Sequence, residues 1–138
     1  MNMGQDIFNP PTVFSYYPAD YALPGAPLFG PEYGILNSQT TLLRANLINT
    51  LFLANSGNGL AVSNPDRPTG TQFNISAYTG LTAQQLVDTF DQKLMHNTSS
   101  AAMKNSILTN LNNISDGTLR ARTAIYLFAT SSQFQVER

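Results

Sequence analysis

The segment NPPTVFSYYPADYALPGAPLFGPEYG, residues 9 to 34, holds six of the chain's eight prolines and six aromatic residues but no Lys or Arg. Each proline removes a backbone N–H and biases the residue before it away from helix. Pro10, Pro11, Pro18, Pro24 and Pro27 therefore exclude a long helix or a central strand from residues 1 to 30. Such an arm needs side-chain anchors, which its aromatic residues supply.

Regular structure must come from the rest of the chain, and there the patterns are helical. Pro31 stands at a helix start with Glu32 in the first turn, and Leu43, Leu47, Leu51 and Ala54 share a face, giving a helix over about 31–55. Only Arg44 is charged between Gln39 and Asn55, so this helix is expected to be largely enclosed. Residues 55–80 are rich in turn formers and read as a long loop. Thr82 and Gln85 form a capping box with Leu81 and Leu86 as its staple, opening a helix over about 82–96. Ser99 or Ser100 caps a third helix over about 99–114, with Met103, Ile107, Leu111 and Ile114 on its inner face. Ser115 or Asp116 caps the last, about 117–131, whose run Ala124 to Ala129 leaves little polar face and marks it as central. The expectation is an all-α fold of about four helices, one domain over 1–138, with residues 1–30 packed on it as an irregular arm.

Composition bounds function. Charged residues make up 11% of the 138 residues, less than half the usual share, and the formal net charge is −1. With no basic stripe there is no electrostatic footprint for nucleic acid. The absence of cysteine removes disulfides, thiolate metal sites and cysteine nucleophiles. One histidine and an isolated Asp66 point to no metal, and no cofactor is expected. No apolar run is long enough to span a bilayer, and MNMGQDIF lacks the basic and apolar regions of a signal peptide.

Three stretches carry a resemblance: MGQDIFNPPTVFSYYPADY, FGPEYGILNSQTTLLRANLINTL and RARTAIYLFATSSQFQVER. In order and spacing they resemble the C-terminal part of the bacterial family called domain of unknown function 1800. The matching residues are Gly4, Gln5, Phe8, Pro10, Pro11, Val13 and Phe14, then Pro31, Glu32 and Tyr33, then Ser131, Gln133, Phe134 and Gln135. The resemblance implies a helical module of an exported protein, periplasmic or extracellular, and a chain that is a fragment or shortened version of a longer one. It carries over no catalytic residue, since the family has no established reaction.

Candidate chemistry is sparse. His96 as base, Ser99 or Ser100 as nucleophile and Asp88 or Asp91 as orienter would make a small hydrolase. The competing reading places His96 at a helix end and the serines as caps. Asp20 and Glu32 border the aromatic stretch and would serve as paired carboxylates on a glycosidic bond, or else as a turn residue and a first-turn helix acid. Tyr16, Tyr17 and Tyr21 offer a platform for a carbohydrate or peptide, or else anchor the arm. Three sequons, at Asn74, Asn97 and Asn113, are incidental in a bacterial protein. The reading that follows first is an interaction or assembly module that associates with itself or with a protein partner; the alternatives are a hydrolase and a carbohydrate- or peptide-binding module.

Overall fold

The computed structural model describes residues 5, 8–13, 16, 18–54 and 73–135, apart from the side chain of Glu32. The chain divides into two compact units, residues 1–47 and 48–138. The fold is all-α: α1 is Ser38–Phe52, α2 Ala83–Met95, α3 Ala101–Asn112, α4 Gly117–Ala129 and α5 the short Ser132–Gln135, with 3₁₀ turns at Pro31–Ile35 and Ser76–Tyr78. Most of the expected 55–80 loop lies outside the described residues. Among the described residues no helix is long and apolar enough to cross a membrane.

The first unit is more organised than its prolines suggest. Tyr21 N–H donates to the Pro18 carbonyl at 3.0 Å, closing a turn that contains Asp20. Ala22 and Phe29 then form an antiparallel bridge, flanked by bonds from Leu23 N–H to Leu28 O at 2.9 Å and from Gly30 N–H to Tyr21 O at 3.0 Å. The tight turn between them is Leu23-Pro24-Gly25-Ala26, closed by Ala26 N–H to Leu23 O at 3.1 Å. Gly25 sits at φ +81°, so Pro24 and Gly25 fill the two central positions that a type II turn assigns to them. The Pro-Gly signal was present in the sequence; the ribbon it closes was not foreseen.

The helix expected over 31–55 is two elements. Pro31–Ile35 is a 3₁₀ turn that ends in extended Leu36, and α1 starts afresh at Ser38. Asn37 is the cause. Its Oδ1 accepts the Thr40 N–H at 2.9 Å while Thr40 Oγ1 accepts the Asn37 N–H at 3.0 Å, a reciprocal cap with threonine where a capping box has Glu or Gln. Nor is α1 largely enclosed. Only Thr40 and Phe52 within it are buried, and Leu42 is 61% exposed.

In the second unit, α2 packs chiefly against α4, with α3 against both. The core is Leu86, Val87 and Phe90 of α2, Ile107 and Leu111 of α3, and Ala121, Ala124, Ile125 and Phe128 of α4, closed by Phe52 from the end of α1. A fully buried Leu or Phe contributes about 1.5–3 kcal/mol. The small Ala121 and Ala124 let α4 approach its neighbours closely, which fits its expected central place. Rings link the layers: Phe90 lies 6.3 Å from Phe128 and 5.1 Å from Tyr78, centroid to centroid.

Caps fix the helix ends. Thr82 and Gln85 make the full capping box, Ser100 Oγ accepts the Met103 N–H, and Asp116 Oδ1 accepts the Leu119 N–H at 2.8 Å. Of the paired alternatives at the third and fourth helices, Ser100 and Asp116 hold the caps. Gly117 opens α4 against the turn that leads into α2, where a Cβ would fall 2.1 Å from the Thr79 carbonyl oxygen. Arg120 bridges the same region, donating to the carbonyls of Leu81 at 3.0 Å and Ile114 at 3.2 Å.

Candidate functional site

The densest polar chemistry is at the corner between α2 and α3. Asp91 follows Val87 by one helical turn, so it falls on the inner stripe of α2 and is 1% exposed. Among the described residues it is the one buried ionisable side chain. A carboxylate withdrawn from water must be paired. Lys104, reaching from the second turn of α3, forms an ion pair with Asp91 Oδ2, and Ser99 N–H donates to Oδ1 at 3.1 Å. Burial alone would push the Asp91 carboxyl up, but Lys104 and Ser99 outweigh it and hold it below its ordinary value.

The backbone closes on the same residue. His96 and Asn97 adopt left-handed conformations, φ 51° and 63°, and turn their N–H groups back onto the Asp91 carbonyl. Thr98 then returns its N–H and hydroxyl to Met95 O. Ser100 completes the corner, its N–H and Oγ both 3.3 Å from Gln133 Oε1 on α5. One carboxylate thus organises the end of α2, the turn and the start of α3.

As chemistry the corner is already committed. Lys104 Nζ is engaged in the ion pair with Asp91. Ser99 Oγ is buried and lacks a hydrogen-bond partner among the described residues. Ser100 Oγ is used as an N-cap. His96 is exposed, and among the described residues no hydrogen bond joins its side chain to Asp91, Ser99 or Ser100. Asp88 is exposed and accepts from Gln84 at 3.0 and 3.1 Å.

The remaining candidates are in the first unit. Asp20 is exposed within the Pro18–Tyr21 turn. Glu32 lies in the 3₁₀ turn, with its side chain outside the described residues. Tyr16 and Tyr21 are half-buried, and Tyr17 lies outside the described residues. The Tyr21 ring and Pro18 lie against Gly34, where a Cβ would stand 3.5 Å from each. Among the described residues no three of His, Asp and Glu gather as metal ligands would.

No family model, curated protein or solved structure matches this chain. Its reading therefore rests on the residues themselves.

Sequence reasoning placed Asp91 on the helix of His96 and weighed it as an orienter. It missed Lys104 and Gln133. The available signal was the i, i+4 spacing of Val87 and Asp91, which sets a charge into an apolar stripe and calls for a cation from a neighbouring helix.

Proposed function

We propose that this chain is a non-catalytic interaction or assembly module, part of an exported bacterial protein of the domain of unknown function 1800 family. The observation that carries the interaction reading is the apolar exposure of the first unit. Phe8, Val13, Leu28, Phe29 and Leu42 are all more than 60% exposed, in a unit whose only charged residue between Phe8 and Pro31 is Asp20. Five strongly exposed apolar side chains in a unit so poor in charge support a contact role. The family and location rest on the order of the three matching motifs.

A hydrolase has less to stand on, because Asp91 is committed to an ion pair and Ser100 to a cap. For carbohydrate binding by the arm, the position of Tyr21 against Gly34 supports anchoring as its first role.

Light scattering on the purified chain, paired with binding of the apolar dye ANS, tests the interaction reading. It expects a face that is covered in an assembly larger than 15.0 kDa, or an accessible face on a monomer that binds dye. A monomer that binds no dye contradicts it.

A further inference from the structure

We infer that α5 is a strap: Gln133 closes it onto the start of α3 by completing that helix's cap from outside, and its release loosens the first turn of α3 while the core stays packed. Both elements belong to the second unit, and the contact role of the first has no part in it.

A capping box has two halves. The N-cap side chain accepts the N–H of the third helical residue, and the Glu or Gln side chain of that residue accepts the N-cap N–H. In α2 one helix holds both, since Gln85 Oε1 accepts the Thr82 N–H at 2.9 Å while Thr82 Oγ1 accepts the Gln85 N–H at 3.2 Å. In α3 the first half is present, Ser100 Oγ accepting the Met103 N–H at 3.2 Å. The second is beyond Met103, whose side chain carries no oxygen and packs against the core. Gln133, 33 residues further on, takes that place: its Oε1 lies 3.3 Å from both the N and the Oγ of Ser100. The Ser100 hydroxyl donates to Gln133 while accepting from Met103, so the glutamine also fixes the direction in which the cap oxygen points.

The rest of α5 is poised to let go. Four residues are too few to hold a helix alone, and none of them is buried. Its start is tied at Ser131, whose Oγ donates to Phe128 O at 2.7 Å and accepts the Phe134 N–H at 3.2 Å. Beyond that tie α5 rests on α2 and α4, with Gln133 reaching to α3. Ser100 is exposed, so on release its N–H meets water and no buried donor is orphaned. Opening is therefore a local event of a weakly held segment and not an unfolding of the unit. The α2–α3 turn responds because two successive amides are held from different elements, Ser99 by Asp91 and Ser100 by Gln133.

Amide hydrogen exchange by NMR on the full chain tests this with Gln133→Met, which keeps the stem and removes the acceptor, Gln133→Glu, which keeps the acceptor, and Ser100→Ala. Gln133→Met is expected to speed exchange of the Ser100 and Met103 amides by about fivefold, with the cores of α2 and α4 unchanged and Gln133→Glu near wild type. Because coupling is reciprocal, Ser100→Ala should speed exchange of the Phe134 and Gln135 amides of α5. Unchanged Ser100 and Met103 amides in Gln133→Met, or equal loss in Gln133→Glu, overturns the cap. Unchanged α5 amides in Ser100→Ala, or faster exchange throughout α2 and α4 in Gln133→Met, overturns the strap.

Discussion

Asp91 of α2 and Lys104 of α3 form an ion pair in which the carboxylate is 2% exposed and the ammonium 35% exposed. The asymmetry determines what each substitution does. Removing Lys104 leaves a buried carboxylate with Ser99 as its remaining partner; removing Asp91 leaves a cation that can still reach water. Lys104→Met is therefore expected to cost about 2–3 kcal/mol and Asp91→Asn less, read as the shift in urea midpoint at neutral pH.

The same pair fixes an acid response. The folded Asp91 carboxyl titrates below its ordinary value of 3.8, so its contribution is fully present above that value and is lost as pH falls through the lower folded one. Wild-type stability should decline below about pH 4 more steeply than that of Asp91→Asn, which has no proton to take up at this site. Parallel declines in chemical-denaturation series at falling pH would show that Asp91 is not paired as described.

Two glycines on either side of one contact separate packing from conformation. At Gly117 a Cβ meets the Thr79 carbonyl oxygen, whereas at Gly80 nothing lies within 4 Å. Gly117→Ala is expected to cost about 1–3 kcal/mol, and Gly80→Ala to be neutral or stabilising by a few tenths of a kcal/mol. Thermal unfolding of the two variants checks the contrast.

His96 offers a test in which structure and catalysis call for opposite results. Held at φ 51° at the end of α2, it occupies a position that glycine fills without a Cβ penalty. His96→Gly should raise stability by up to about 1 kcal/mol. It should leave behaviour on an ester and glycoside panel unchanged; a hydrolytic activity present in the wild type and lost in this variant would restore His96 as a catalytic residue.

The helices of the second unit were legible because their signals are local. Thr82 with Gln85, Ser100 and Asp116 announce their helices within one turn, and the spacing of Ile107 and Leu111 or of Leu86 and Phe90 names the inner faces. The break before α1 was hidden because it depends on one reciprocal pair, Asn37 and Thr40, in a stretch whose apolar spacing runs on across it. The bridging role of Arg120 was hidden, since its acceptors at Leu81 and Ile114 are backbone atoms that no residue type reveals. Exposure of Leu42 was equally hidden, because a helix with a single charge, Arg44, suggests enclosure whether its neighbour is this chain or another.

The central claim is that Leu28 and Phe29 serve contact and not folding. Its most direct test is the double variant Leu28→Ser, Phe29→Ser, with molar mass by light scattering and the thermal unfolding midpoint measured on the same sample. The account expects the variant to lose apolar contact, seen as a smaller mass than an associating wild type or as less ANS bound than by a 15.0 kDa monomeric one, with helix content unchanged and no midpoint loss beyond what the lost association supplies. A midpoint lowered by several degrees while the mass stays as in the wild type would contradict it, placing these side chains in the fold instead of at an interface.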